Sequence, residues 1–222
     1  MPTSHSYQIN QIVELIYNSK AKSVLDIGVG FGKYGFLARE YLELWDGREK
    51  YDDWQCRIDG IEAYPKYLTP IHDYIYNHIY QGNALEVVPK LKNKYDLVLM
   101  IDVLEHFTYE EGQELLNQLL KTSRNLLIST PKDNGDQEDS FGNPYETHKY
   151  EWTAKDLENL YPNTPKYIKS TTFSTITLLG KDADKIAKKV KDNRRDMLLL
   201  EYPALKIPHK AVNKLKKISK KS

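Results

Sequence analysis

Apolar side chains recur at three- and four-residue intervals over residues 7–18, where Ile9, Ile12, Val13 and Ile16 follow Ser6, a residue suited to cap a helix. The rhythm then changes to a compact run, Val24, Leu25 and Ile27, as a strand covered on both faces requires. Residues 31–45 predict the next helix, residues 46–56 are polar and turn-rich, and residues 57–62 alternate as a second strand. Residues 64–76 predict a helix that Pro65 can start and Pro70 can kink or split, and residues 78–80 a short third strand.

A second strongly apolar run, residues 95–101, predicts a fourth strand ending at Asp102. Thr108 and Glu111 have the spacing of a capping box, and Leu115, Leu116, Leu119 and Leu120 then form one helix face leading to a strand over residues 125–129. The same device recurs at Thr153 and Asp156 before Leu157 and Leu160, and residues 167–170 and 174–179 are two β-like runs able to pair antiparallel. The pattern predicts an α/β protein with an open, doubly wound, mostly parallel seven-stranded sheet. Helices cover both faces, the last strand is antiparallel, and ligands bind at the carboxyl ends of the strands.

A length of 222 residues suits one such domain with a tail, placed at residues 1–180 and 181–222. The net charge of +1 hides an asymmetry: residues 181–222 hold 14 Lys and Arg against 5 Asp and Glu, so the body is acidic. From Met197 the tail contains Leu198, Leu199 and Leu200, then Leu205, Ile207, Val212, Leu215 and Ile218 interleaved with lysines, and parts of it are amphipathic. Such a segment can lie peripherally on an anionic membrane, grip nucleic-acid phosphates, pack on a neighbouring subunit or remain a solvated terminus. The oligomeric state stays open. The single Cys56 excludes a disulfide framework, no run reaches the ~20 apolar residues of a membrane span, and residues 1–10 do not resemble a secretory signal, so a cytoplasmic protein is expected.

Chemistry concentrates at strand ends. In VLDIGVGFGKYG, Gly28, Gly30 and Gly32 form a turn with bare backbone, while Lys33 stands where a dinucleotide fingerprint would need its third glycine. Glu62, in DGIEAY, can accept hydrogen bonds from both hydroxyls of a ribose, and Asn83, in QGNAL, can give and take a hydrogen bond with an adenine edge.

Together with YDLVLMIDVLEHF and LLISTP, these segments resemble, in order, class I S-adenosylmethionine (SAM) methyltransferases, especially the branch whose fourth motif reads D-x-L-E-H and which methylates small metabolites and sugars. The resemblance implies a Rossmann-like fold and SAM as cofactor. It places the methionine end at Gly28, Gly30 and Gly32, with Asp26 supporting the loop or the cofactor's amino group, and the nucleoside at Glu62, Ala63, Asn83 and Ala84, with Asp102 and Val103 beside it. Transfer to a hydroxyl needs alignment and removal of a proton, which makes His106 and His148 the candidate bases and a small hydroxylated acceptor, such as a sugar or glycan, the favoured substrate. No metal is assigned. Asp102, Glu105, His106 and His148 also resemble the cation site of enzymes that 2′-O-methylate small RNA 3′ ends, with Asp102 as the first acid and Tyr150 in place of a Phe. A divalent-metal RNA 2′-O-methyltransferase is therefore the first alternative, with nucleic acid the less favoured partner of an acidic body, and a noncatalytic SAM-binding module is the second.

Overall fold

The computed structural model describes residues 4–44, 50–132 and 140–202. In chain order its elements are α1 Ile9–Ser19, β1 Ser23–Ile27, α2 Lys33–Arg39, β2 Arg57–Glu62, α3 Pro70–Ile75, β3 His78–Gln81, α4 Ala84–Val87, β4 Tyr95–Ile101, α5 Tyr109–Thr122, β5 Ser123–Pro131, α6 Ala154–Leu160, β6 Lys166–Ser170, β7 Ser174–Gly180 and α7 Ala183–Glu201. The seven strands form one sheet in the order β3-β2-β1-β4-β5-β7-β6. β1 to β5 run parallel, and β7 is antiparallel to both β5 and β6. This is the expected doubly wound, Rossmann-like sheet, with its order reversing between β1 and β4.

Strand alternation explains the two cores. Leu97 and Leu99 of β4 point to one face, where they meet Ile12 and Ile16 of α1 and Ile186 and Val190 of α7. Val98 and Met100 point to the other, against Leu115, Leu116 and Leu119 of α5 and Trp152. Both capping boxes form: Thr108 Oγ1 accepts from Glu111 N–H at 3.3 Å while Glu111 Oε2 accepts from Thr108 N–H at 2.9 Å, and Thr153 pairs with Asp156 in the same way.

Local departures have local causes. Pro70 opens α3 instead of kinking a longer helix, and Pro65 starts a separate single turn, because proline suits a first helical position and disfavours helix in the residue before it. The helix expected over residues 31–45 begins only at Lys33, since the glycine turn runs through Gly32 at φ +87°, and a wider turn over Glu40–Leu44 follows it. Residue 45, the last of that expectation, and residues 46–49 of the polar stretch lie outside the described residues. Residues 183–201, expected to open a separate basic tail, form α7, and its Ala183, Ile186, Ala187 and Val190 are buried with the rest of the core. Residues 203–222 lie outside the described residues. Among those described, no helix is long and apolar enough to cross a membrane.

Candidate active site

The carboxyl ends of β1, β2 and β4 open into a cleft of about 930 Å3, lined by Gly28, Gly30, Glu62, Ala63, Asn83, Ala84, Asp102, Val103, His106 and His148 among others. Ten of the twelve expected positions thus converge from five separate segments. Asp26 and Gly32 are not on the lining, although each supports it.

The glycine turn is shaped by what surrounds it. Gly28 has φ +71°, and a Cβ there would lie 2.7 Å from Val103 Cγ2, so both the backbone and the β4 loop demand glycine. Gly28 and Val29 donate to Ile61 O at 2.9 and 3.2 Å, which ties the turn to the end of β2. Glu62 completes the tie: Oε2 accepts from Gly30 N–H at 2.9 Å and Oε1 from Tyr64 N–H at 2.8 Å. Burial raises the pKa of its carboxyl, and the two N–H donors oppose that shift.

Beneath the turn, Asp26 Oδ2 accepts from the Tyr76 hydroxyl at 2.7 Å, and burial pushes its pKa up to about 7. An acid with a raised folded-state pKa contributes stability that is complete below the unfolded value of 3.8 and is lost as pH rises towards about 7. Asp26→Asn keeps an acceptor for Tyr76 and cannot ionise. Across that window its melting temperature should fall less steeply than that of the wild type, and parallel pH profiles would refute the assignment. His72 braces the same turn. Thr69 N–H donates to its Nδ1 at 3.0 Å, so its Nε2 bears the proton and donates to Gly30 O at 2.8 Å.

Two further expected residues are partly committed within the protein. Asn83 Oδ1 accepts from Leu85 N–H at 3.0 Å and caps α4. Asp102, at φ +53°, accepts from Gln8 Nε2 at 2.6 Å through Oδ2 and lies 2.9 Å from the Ser129 hydroxyl through Oδ1. Burial raises its pKa. Gln8, which begins just before α1, was not legible as a site residue, because its partners Asp102 and Ser129 are distant in sequence and no local pattern marks it.

The turn after Asp102 carries a different cluster. Glu105, His106 and His148 each offer a ligand atom within 4.8 Å of the others. Glu105 is buried, its Oε2 has no hydrogen-bond partner among the described residues, and its pKa is raised well above the ordinary carboxylate range by burial and then by Asp102. His106 Nδ1 lies 3.2 Å from Thr147 O, and since a carbonyl only accepts, Nδ1 carries the proton and Nε2 the lone pair. Burial lowers its pKa to about 4. The His106 and His148 rings are 5.0 Å apart, and Lys149 N–H donates to Glu105 O at 2.8 Å, which straps the His148 loop to the turn. Glu146, buried beside them, accepts from the Tyr67 hydroxyl at 3.2 Å and from Asn143 Nδ2 at 3.3 Å, and it too escaped the sequence reading.

A parallel sheet whose order reverses at β1 and β4, with a bare glycine turn and a strand-end acid facing one cleft, defines an α/β fold of the class I methyltransferase type. The profile of the methyltransferase domain family matches residues 5–164, and the chain belongs to that family of SAM-dependent enzymes. No curated protein matches it in sequence. Solved structures share the fold. An O-methyltransferase family protein from Burkholderia thailandensis is 16% identical over 78% of this chain and 56% of its own, with a TM-score of 0.52. The small RNA methyltransferase HEN1 is 19% identical over 79% of this chain and 25% of its own, with a TM-score of 0.56. A SAM-dependent methyltransferase from Archaeoglobus fulgidus is 16% identical over 79% of this chain and 92% of its own, also at 0.56. The chain therefore spans little more than half of the Burkholderia protein.

Proposed function

We propose that the protein transfers the methyl group of SAM to a hydroxyl of a sugar-like acceptor, with a divalent cation held by Glu105, His106 and His148. The observation that carries the cation is the buried Glu105 Oε2, without a hydrogen-bond partner among the described residues, beside two imidazoles. One carboxylate and two nitrogen donors suit a divalent transition metal, and the Thr147 carbonyl orients His106 as outer partners of metal-ligating histidines do. The fit is good on chemistry as well as on proximity. Asp102 is not in the ligand set, because the ligand atoms that lie within 4.8 Å of one another are those of Glu105, His106 and His148.

SAM lies with its ribose hydroxyls on Glu62, its methionine end over the backbone of Gly28 and Gly30, and its adenine near Asn83 and Ala84. With its oxygen on Leu85 N–H, Asn83 presents its amide N–H groups to the base. The cation would acidify and orient the acceptor hydroxyl. His106, with its pKa near 4, is a poor proton acceptor at neutral pH, and this favours the ligand role over the general-base role first expected of it. Glu62, Asp102, Glu105 and Glu146 share the cleft with Lys33 and Lys149, and it is the acidic body of the chain as a whole that favours a neutral glycan or saccharide over the polyanionic backbone of RNA.

The first test is of the cofactor. SAM at about a hundred times its Kd should stabilise the protein by about 2.7 kcal/mol and raise its melting temperature by roughly 5–10 °C, whereas NAD should not. Absence of a SAM shift would end this reading. Labelled SAM should then transfer its methyl to saccharides in the presence of Mn2+. Transfer to short RNAs in preference would move the acceptor to ribose, and no transfer to either class would favour a noncatalytic SAM-binding module.

A further inference from the structure

The two halves of the cleft are unequally used. The residues assigned to SAM stand at the ends of β1, β2 and β3, and the Glu105 cluster follows β4. The ends of β5 and β7 border the rest: Pro131 pairs with Ser174 there, and both line the cleft together with Phe173 of the β6–β7 turn and His5. From this half an acceptor can approach the methyl group without displacing the cofactor.

That half carries a flat aromatic surface. The rings of His5 and Phe173 stack at 4.3 Å with their planes 7° apart, and the Tyr7 ring lies 4.9 Å from the first and 5.2 Å from the second, at 19° and 12°. Burial does not explain the cluster, since Tyr7 is 68% exposed, Phe173 45% exposed and His5 exposed as well. The rings are nevertheless held in place. Residues 4–8 are pinned at both ends: Lys33 Nζ donates to Ser4 O at 3.2 Å, and Gln8 is bonded to Asp102 and Ser129. The β6–β7 turn is closed by Thr171, whose Oγ1 accepts from Phe173 N–H at 3.2 Å and from Ser174 N–H at 2.9 Å, while Lys132 N–H donates to Phe173 O at 3.0 Å. Exposed rings on fixed supports at the wall of a cleft suit a ligand that is flat and apolar on one side.

We propose, on the basis of the methyl-transfer function above, that His5, Tyr7 and Phe173 form the stacking subsite of the acceptor, a pyranose ring that lies with its C–H face on them. An aromatic face is electron-rich, so it attracts the polarised C–H bonds of a sugar ring, while the hydroxyls project around the edge and stay available to other partners. His5 supplies one such partner. Its Nδ1 accepts from Tyr7 N–H at 3.4 Å, so in the neutral ring Nε2 carries the proton and can donate to a sugar oxygen. A nucleobase would stack on the same rings, but the phosphates that join it to an RNA would meet the acidic body of the chain.

The test titrates methyl β-D-glucopyranoside calorimetrically into the full chain saturated with S-adenosylhomocysteine and Mn2+. The sugar should bind, and Phe173→Ala should weaken it at least about fivefold. Phe173→Trp keeps a flat ring and should bind within about twofold of the wild type, whereas Phe173→Leu, apolar but not flat, should bind as weakly as the alanine variant. All three should match the wild type in melting temperature and SAM-induced shift, because the side chain is half-exposed and stands outside the cofactor half. A Phe173→Ala or Phe173→Leu protein that binds the sugar as the wild type does overturns the subsite and leaves methyl transfer to a saccharide standing. No sugar binding overturns the subsite and the acceptor class together, as does uridine bound in preference with the same dependence on Phe173. The SAM-induced shift is read in the same samples, so failure of the subsite is distinguishable from failure of the methyltransferase reading.

Discussion

Glu105→Gln should fold normally and lose methyl transfer by at least about a hundredfold. Glutamine matches the shape of the side chain and removes the charge that burial disfavours, so the melting temperature should hold or rise. What it removes is the anionic donor between His106 and His148, with which Glu105 converges to within 4.8 Å. The wild type should be inactivated by chelator and restored by Mn2+, while residual activity in the variant should respond to neither chelator nor metal. Wild-type activity that is indifferent to chelator, or a Glu105→Gln enzyme with full activity, would remove the cation from the mechanism. His106 and His148 would then have to act as bases, despite the low pKa of the first.

Glu62→Ala should weaken SAM binding by at least about a hundredfold, equivalent to about 2.7 kcal/mol. The substitution deletes the acceptor for the ribose and also strips Gly30 N–H and Tyr64 N–H of their partner, so the turn loses its shape as the cofactor loses a contact. Glu62→Gln separates the two effects. It keeps an oxygen for one of the N–H groups and should bind SAM better than the alanine variant does. Isothermal titration gives both constants, and a Glu62→Ala protein that binds SAM within tenfold of the wild type would show that the ribose sits elsewhere.

Legibility followed the range of the interactions. The glycine turn and Glu62 could be read because a strand, a tight turn and a strand-end acid are written in adjacent residues. The capping boxes at Thr108 and Thr153 were legible for the same reason. Support of the turn was not, since Asp26 is held by a residue 50 positions away and Gly30 by one 42 away, and neither Tyr76 nor His72 carries a local mark of that role. Asp26 was expected to support the glycine loop or the cofactor's amino group, and it lies beneath the turn with its Oδ2 on the Tyr76 hydroxyl. The turn after Asp102 was read for its residue types, but whether His106 serves as a base or as a ligand depends on burial and on Thr147 O, 41 residues on. Glu146 belongs to the same category: a glutamate in a polar loop looks solvated until the fold buries it against Tyr67 and Asn143.

The bridge from Gln8 to Asp102 and Ser129 sets an order on biosynthesis. Gln8 must wait 94 residues for the carboxylate and 121 for the hydroxyl that receive it. β1, central to the sheet, waits almost as long for β4. A nascent chain ending before residue 102 already contains the glycine turn and Glu62, yet it has neither of the partners that anchor Gln8 at the cleft. The ligand pocket is therefore a late product of translation, and a ribosome stalled short of β5 would display four of the seven strands with an unfinished site.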